Sequence, residues 1–545
     1  MAIALDLADI QGNVISAYGK LGFPKGRCIT LHIDDAGAGR KFVNTLLPGI
    51  TTALRWSSER APAKPGTVTA TRPLVAVNIA FSWYGLLALG IPIRTLGRMP
   101  DEFIDGMVER APMLGDNFGG GAWKDSWDEV WTVGSTARIA SSKRVHMLIT
   151  LNAQMNPDGN AIPALDAKTR EIEALCKPNS GIRILSGHNR PGQQPSVPYQ
   201  DMTAIMAREK DGTIQPCAKE HFGYTDALGD PVFDGQYTGR DEEAAVTGNG
   251  AVDGTGKWRP LATGEFLLGY PDEAQEIAGA AMPLGFSRNG TFMAYRKLHQ
   301  NVATFDKFMT ETAARFGAVY GIADPTDALE TLKAKIAGRW SDGVPLARAP
   351  NAAEWRKFND QFPEVPPEDR DGYARRNHAL IDFVYKEDPQ GLKCPITSHM
   401  RRVNTRDGLA PRGTEGSVLN NRRRILRRGL PYGDGSPGVP DSAEHGIIML
   451  VVCASLFRQF EFVQQQWLNY GLDANAGNDT CPLVGNHSTG APKAKYVIAS
   501  DPKSGRPPFI VEGIPQFVET RGGEYFFVPS MTALRMIGMG TVDPT

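Results

Sequence analysis

"CPITSHMRRVNTR" (394–406) is the stretch on which the fold assignment of this chain rests. It places one histidine, His399, beside three arginines, Arg401, Arg402 and Arg406. Histidine is the commonest metal ligand in proteins, and it binds as the neutral imidazole, the form that cationic neighbours favour. Guanidinium groups in turn match carboxylates geometrically. Taken alone, the stretch is compatible with a metal site, an anion site, or a solvated surface around a structural histidine.

A second stretch, "EHFGYTDALGDPVFDG" (220–235), combines a carboxylate with glycines. Asp226 lies between Gly223 and Gly229, and glycine lets a backbone approach a ligand closely. A carboxylate in such a loop can act as a general acid or base. An aspartate that closes an Asx-turn has the same signature, so both interpretations stay open.

A third stretch, "NRRRILRRGLPYGDG" (421–435), runs from a cluster of arginines into a Leu-Pro-Tyr-Gly turn. One guanidinium of such a run can be fixed near a ligand while the others stay in water. A wholly solvated basic face is the alternative interpretation.

Composition limits the class of protein. The chain has 545 residues, enough for two domains or more, with 41% hydrophobic and 22% charged residues, as in soluble globular proteins. A net charge of -1 provides no general attraction for nucleic acid or an anionic membrane. The six cysteines form no C-x-x-C pair, which disfavours a zinc knuckle and favours reduced thiols. Because no signal peptide or apolar membrane span is recognised, we expect a cytoplasmic protein.

The pattern of apolar residues predicts an α+β protein of two similar halves, residues 1–215 and 216–545. The predicted strands are 25–33, 73–82, 144–153 and 445–456. The predicted helices are 83–90, 101–114, 299–317, 325–340 and 457–471. We expect a loop or insertion at 235–262 and a proline-broken surface segment at 350–376.

Together, and in this order, the three stretches resemble the dye-decolorising peroxidase family. That family carries a Gly-x-x-Asp-Gly loop, then Cys-Pro-x-x-x-His-x-Arg-x-x-Asn-x-Arg, then an arginine-containing turn that ends in Pro-Tyr-Gly. This chain has "GYTDA", "CPITSHMRRVNTR" and "RRGLPYG" at the matching places. Further segments, among them "DIQGNV" (9–14) and "RQFEFVQQQWLN" (458–469), look like the family's longer bacterial members and extend the resemblance over nearly the whole chain.

The resemblance implies haem b, one iron protoporphyrin IX per chain, between two ferredoxin-like halves with antiparallel sheets and packed helices. The C-terminal half would hold most of the haem. In this sequence His399 would be the proximal iron ligand, Asp226 the distal acid–base group and Arg427 the distal arginine.

Three further residues would contact the cofactor. Arg401, two residues after the ligand, would pair with a haem propionate. Gly223 and Tyr224, which precede Asp226 in its loop, would line the cofactor site.

Two departures from the family pattern bear on the site. Ala227 stands where the family usually has glycine after the distal aspartate, and its methyl group could narrow the peroxide site. The strand before "RQFEF" often offers a carboxylate or amide to the proximal histidine, whereas this chain has Cys453, Ala454 and Ser455 there. A partner for the ring of His399 is therefore not identifiable from the sequence.

The resemblance implies a haem peroxidase that reduces hydrogen peroxide to water and oxidises phenols, dyes or other one-electron donors. Its partners would be peroxide and an organic donor, without nucleic acid or membrane, and a homo-oligomer is compatible with the sequence. Bulky donors would pass electrons through surface residues, among nine tryptophans and fourteen tyrosines. Two alternatives stay open: a haem-handling or sensing protein with weak turnover, and a binding protein of the same fold without the cofactor.

Overall fold

The computed structural model describes most of the chain. The described residues are 4–57, 68–116, 126–132, 143–191, 193, 195–208, 212–226, 228–237, 240–253, 255–278, 280–366, 369–409, 418–477, 479–487 and 495–542.

The strands are labelled β1 to β15 in chain order. They are Lys25–Ile33, Val75–Phe81, Met147–Ala153, Ile182–Ile184, Gln200–Thr203, Ile205–Arg208, Ile214–Cys217, Ala251–Val252, Trp258–Arg259, Thr291–Gln300, Leu426–Gly433, His445–Cys453, Lys495–Ile498, Phe509–Glu512 and Val518–Val528.

The α-helices are labelled α1 to α17 in the same way. They are Gly12–Ile15, Ala36–Leu46, Trp83–Ala88, Ile93–Leu96, Asp101–Asp105, Met107–Arg110, Glu129–Thr132, Pro163–Leu175, Arg240–Val246, Leu284–Ser287, Val302–Tyr320, Pro325–Ala337, Ala352–Gln361, Arg370–Ile381, His399–Val403, Val418–Asn421 and Met531–Met539. Two π-helical segments, Leu456–Glu461 and Val463–Leu468, follow β12.

One antiparallel sheet unites the two halves of the chain. Within the described residues its order is β11-β12-β10-β15-β2-β3-β1-β4, and β5 also pairs with β1. The N-terminal strands β1, β2 and β3 join the C-terminal strands through the pairing of β15 with β2. The predicted α+β class, with antiparallel strands and packed helices, is confirmed. The division at residue 215 stays a prediction.

Several predicted elements differ from the observed ones for local reasons. The helix expected over 101–114 is two short helices, because Gly106 between them has a positive φ of 80°. The first residues of the expected helix 299–317 belong instead to strand β10, and helix α11 begins at Val302. The segment expected over 235–262 contains α9 and the β8–β9 hairpin as well as loops.

The buried apolar side chains form separate clusters, one on the sheet and another around helices α11 and α12. The largest cluster covers the sheet and includes Phe81, Phe292 and Phe527, each fully buried. A second cluster joins α11 and α12 to the π-helical segment 463–468 and contains Phe305 and Cys481. No helix among the described residues is both long and apolar enough to span a bilayer.

Strand β11 lies at the edge of the sheet and carries the "RRGLPYG" motif. An edge position tolerates Pro431, which has no N–H to donate to a neighbouring strand. Gly429 has a φ of 106°, and a Cβ there would collide with the carbonyl oxygen of Ile448 on β12. The motif therefore holds the strand close to β12, with the side chain of Arg427 exposed and that of Arg428 buried.

Candidate active site

The structure joins the second and third motifs through an ion pair. Nη1 of Arg427 donates to Oδ1 of Asp226 at 2.7 Å, and Nη2 lies 3.4 Å from the carbonyl oxygen of Leu228. The two charged residues are 201 positions apart in the chain. The contact therefore depends on the tertiary fold and brings together the two predicted distal residues.

The ion pair is partly accessible to solvent. About two-fifths of each side chain is solvent-accessible, 39% for Arg427 and 41% for Asp226, although protein surrounds Arg427 densely. The negative charge of Asp226 raises the pKa of Arg427 above its usual range, against the opposing effect of burial. Accessible ion pairs contribute little to stability, and both charged groups of this pair lie within reach of a small ligand.

Backbone contacts fix the loop that carries Asp226. The backbone N–H of Asp226 donates to the carbonyl of Ala218 at 2.8 Å. The N–H and the hydroxyl of Thr225 both donate to the carbonyl of Ser341, at 2.9 and 3.0 Å. The buried carboxylate of Glu220 accepts the N–H groups of Phe222 and Tyr224, each at 2.9 Å. The aspartate thus belongs to an ordered loop with a defined direction.

His399 is the first residue of the short helix α15 and is half-buried. Its Nδ1 lies 3.2 Å from Sγ of Cys481. Burial raises the pKa of the Cys481 thiol, but the His399 ring and Arg402 more than offset that effect and lower it to about 7. No hydrogen-bond partner of Nε2 is found among the residues described, so this nitrogen can bind a metal.

Cys481 is the partner of His399 that the sequence did not reveal. Cys453 lies instead in β12, opposite Phe292 of β10. Cys481 follows His399 by 82 positions in a segment without a recognisable metal-site pattern. Its proximity to His399 arises from the tertiary fold alone.

The histidine motif and the aspartate loop meet around the segment 338–343. A Cβ at Gly338 would lie 2.9 Å from Oγ of Ser398, the residue before His399. A Cβ at Gly343 would lie 3.4 Å from Cβ of Thr225, the residue before Asp226. All three motifs therefore converge on one region of the molecule.

The same two stretches also lie close together at a second point. A Cβ at Gly229, in the aspartate loop, would lie 3.4 Å from Nδ2 of Asn404, in the histidine motif. Gly229 also has a positive φ of 72°, which favours glycine at this position.

Arg401 points to a protein carboxylate. Its Nη1 donates to Oδ2 of Asp388 at 3.0 Å and to the carbonyl of Cys394 at 2.7 Å, and its Nη2 donates to the carbonyl of Asp388 at 2.6 Å. These bonds occupy three of the five N–H groups of a guanidinium. Pairing of Arg401 with a propionate stays a prediction, and it would use the other two.

Four other arginines are buried and bonded to neutral acceptors. The described hydrogen bonds of Arg339, Arg402, Arg406 and Arg424 all go to backbone carbonyls. Burial lowers the pKa of Arg339 to about 9 and those of Arg406 and Arg424 to about 10, and it also lowers that of Arg402. The interior beside the histidine motif therefore favours an anionic guest.

Three of these arginines retain buried donors, one of which is Nε of Arg339. Nη2 of Arg402 and Nη2 of Arg406 are buried and have no hydrogen-bond partner among the described residues. Unsatisfied buried donors are costly, and a ligand carboxylate would satisfy them.

The expectation that most arginines of 421–428 form a solvated face is wrong in part, because Arg424 and Arg428 are buried.

The remaining predicted site residues have structural contacts. The hydroxyl of Tyr224 donates to the carbonyl of Lys333 at 2.9 Å, and its ring packs against Phe305. Gly223 has a φ of 90°, which suits the turn. Their roles in cofactor binding stay predictions. Ala227 lies outside the described residues.

The Arg401–Asp388 pair predicts a stability effect that is independent of any ligand. Each side chain is only 6% exposed, so Arg401→Ala would leave a buried carboxylate without its cation. Breaking such a pair typically costs about 3–5 kcal/mol, and urea unfolding of the haem-free protein would measure the loss. The control is Arg356→Ala, which removes an exposed pair with Asp327 and should change the free energy of unfolding little. Equal losses in the two variants would contradict a structural role for Arg401.

Known proteins are similar to this chain in sequence and in fold. Residues 9–191 match the family model described as the DyP dimeric alpha+beta barrel domain. The chain is 27% identical to Peroxidase 2 of Mycetinis scorodonius, over 98% of this chain and 88% of that protein. It is 28% identical to Multifunctional dye peroxidase DyP2 of an Amycolatopsis species, over 97% and 96%. An ancestral D-type dye-decolorizing peroxidase structure superposes with a TM-score of 0.70 and 25% identity, over 98% and 99%. Residues 9–191 therefore match the DyP domain, and nearly the whole chain is similar to dye-decolorising peroxidases.

Proposed function

We propose that the protein is a haem peroxidase that reduces hydrogen peroxide to water with electrons from phenols, dyes or other one-electron donors. The observation that carries the proposal is the Arg427–Asp226 ion pair, held at 2.7 Å by a loop that passes close to the His399 stretch. A fixed cation beside a carboxylate provides charge stabilisation and proton transfer within one site.

The residues present fit one haem b per chain. Nε2 of His399 would bind the iron, and the buried Nη2 groups of Arg402 and Arg406 offer donors for the propionates. Neutral imidazole is a common axial ligand of haem iron. When bound, haem supplies the iron on which peroxide is reduced and the conjugated ring that stores oxidising equivalents. A protein of this fold without the cofactor would leave these buried arginine donors unexplained.

Asp226 moves the proton. Oδ1 accepts one N–H of Arg427, and an ionised carboxylate has about four lone-pair sites, so capacity remains for a proton from peroxide. The same carboxyl group then returns the proton to the leaving oxygen, which departs as water. No net proton is consumed at Asp226, so the residue is ready for the next turnover.

Arg427 stabilises negative charge and orients the carboxylate. Because its pKa is raised by Asp226, the guanidinium keeps its charge over the whole pH range in which the carboxylate ionises. Nη2, at 3.4 Å from the carbonyl of Leu228, holds the guanidinium against the aspartate loop. The cation is therefore in place before peroxide binds, as electrostatic catalysis requires.

The proposed partners are peroxide and a small organic donor. Both side chains of the ion pair are partly exposed to solvent, so a molecule the size of peroxide can reach them, while large dyes would deliver electrons at the surface. A homo-oligomer also belongs to the proposal.

The iron ligand is tested by His399→Ala. Loss of the imidazole should remove most bound haem, or abolish the native visible spectrum, because no other histidine occupies the family's ligand position. Haem content and the absorption spectrum of purified variants measure this directly. His378→Ala is the control, since His378 is exposed on α14, and it should bind haem as the parent does. Full occupancy with an unchanged spectrum in His399→Ala would exclude His399 as the ligand.

The two distal residues are separated by their pH profiles. Asp226 must be ionised to accept a proton, so the rate of the first spectral change after mixing with peroxide should fall as pH falls. Asp226→Asn should slow the reaction by about 10²–10⁴ and flatten this acidic limb. Arg427→Leu should slow it by about 10²–10³ and keep the limb, because arginine does not titrate there.

The exposed pair Arg356–Asp327 offers a matched control. Asp327→Asn removes the same kind of charge at a distance from the motifs and should change neither rate nor profile. An acidic limb that persists in Asp226→Asn and disappears in Arg427→Leu would be evidence against Asp226 as the base.

A further inference from the structure

The ring of His399 contacts sulfur. Sγ of Cys481 lies 3.2 Å from Nδ1, within the distance expected of a hydrogen bond to sulfur, and Cys481 is fully buried. Proximal histidines in metal sites usually donate the second ring N–H to a carboxylate, a carbonyl or water. A thiol in this position is an unusual acceptor, and nothing in the family pattern of the motifs announces it.

The backbone of Cys481 is fixed on both sides. Its N–H donates to the carbonyl of Leu468, at the end of the second π-helical segment, at 2.6 Å. Its carbonyl accepts the N–H of Gly485 at 3.0 Å. The sulfur therefore has little freedom to leave the imidazole.

Arg402 locks helix α15 onto the same π-helical segment. Its Nε donates to the carbonyl of Thr397 at 2.9 Å, and its Nη1 donates to the carbonyls of Trp467 and Tyr470 at 2.9 and 3.0 Å. Since His399 opens α15 and Leu468 holds Cys481, these bonds set the distance between the ring and the sulfur. The contact is thus a consequence of the packing of two helical elements.

We propose that Cys481 is the positioning residue of His399, with Sγ accepting the Nδ1 proton and leaving the lone pair of Nε2 for the iron. The inference rests on the proposed function, because it takes His399 as the ligand. A neutral imidazole carries one N–H, so a partner that holds this proton on Nδ1 fixes the tautomer that binds metal. It also limits rotation of the ring about its bond to Cβ.

Sulfur in place of carboxylate has a consequence for the iron. A neutral imidazole does not lower the pKa of the Cys481 thiol by its charge as an imidazolium does, so in this arrangement the sulfur is a thiol. A thiol is a weak acceptor, so it draws the Nδ1 proton less than a carboxylate would and leaves the imidazole less basic. A less basic ligand stabilises the ferric form less, and hydrogen bonding to the ligand is one means by which a protein sets the haem potential. Cys481 should therefore give a higher ferric/ferrous potential than an aspartate at the same position.

The test is a series at position 481 in the haem-loaded protein. Cys481→Asp supplies a strong acceptor, Cys481→Ser keeps a small polar group of similar size, and Cys481→Ala removes the acceptor. Spectroelectrochemistry gives the ferric/ferrous potential, and resonance Raman of the ferrous protein gives the iron–histidine stretching frequency. We expect the potential to be lowest in Cys481→Asp and highest in Cys481→Ala, with the stretching frequency in the opposite order.

Haem retention gives a second measurement. Loss of such a partner typically weakens metal binding by about 10–100-fold, so Cys481→Ala should release haem to a competing apoprotein faster than the parent. The control is Cys453→Ala, which truncates an equally buried cysteine in β12 away from His399. It should shift neither the potential nor the stretching frequency. If Cys481→Ala does not fold, the Asp and Ser variants still give the ordered comparison.

Three results would overturn the inference. The first is a potential and stretching frequency in the Asp, Ser and parent proteins that do not follow acceptor strength. The second is a shift in Cys453→Ala as large as that in Cys481→Ala, which would indicate packing alone. The third is a ferrous carbonyl spectrum of the thiolate-ligated type that disappears in Cys481→Ser, which would place sulfur on the iron. Failure of the proposed function can be told apart from failure of this inference, because His399→Ala would then keep the haem spectrum of the parent protein.

Discussion

The pairing of strand β10 with β12 and β15 is the constraint on which the rest of the structure depends. β10 lies inside the sheet, and β15 continues from it to β2 and the N-terminal strands. On the other side β12 carries β11 to the edge, where the side chain of Arg427 projects from the sheet. The charged residues of β10 are neutralised within the protein, since Arg296 pairs with Asp116 and Lys297 with Asp128. These two cations of β10 are therefore paired within the protein and need no ligand as a counter-charge.

The region beside His399 has a different charge balance. The described hydrogen bonds of Arg402 and Arg406 go to backbone carbonyls, and burial lowers the pKa values of both residues. A buried cation without a counter-charge is costly, so this arrangement is best explained by an anionic group that completes the interior. A haem with two propionates has that chemistry. The charge balance of this region therefore differs from that of the sheet.

The sequence predicted the fold class for reasons that are local or pattern-based, and the roles it assigned to the site residues stay predictions. Strand β1 has the predicted bounds, residues 25–33, because its apolar residues partly alternate with polar ones and polar or glycine-rich segments mark its ends. Asp226 and Arg427 were assigned from motifs whose spacing survives in this chain, and the structure brings the two together. Arg401 was assigned in the same way, yet the structure gives it a protein carboxylate, Asp388, as a neighbour.

What the sequence did not predict depends on contacts between distant residues. Cys481 meets His399 only because Arg402 joins α15 to the π-helical segment, and no spacing rule encodes that packing. The burial of Arg424 and Arg428 was missed because a run of arginines has the composition of a solvated face. The break between α5 and α6 follows from the backbone conformation of Gly106. The prediction of one continuous helix relied only on the apolar residues around that glycine.

The central claim is that this chain holds a haem and reduces peroxide with it. The most direct test is the visible absorption spectrum of the purified full-length protein during titration with haemin and then with hydrogen peroxide. The account predicts a Soret band that saturates at one haem per chain, changes when peroxide is added, and returns when a phenol is supplied. A protein that gives no Soret band at any excess of haemin, or whose bound haem does not respond to peroxide, would contradict it.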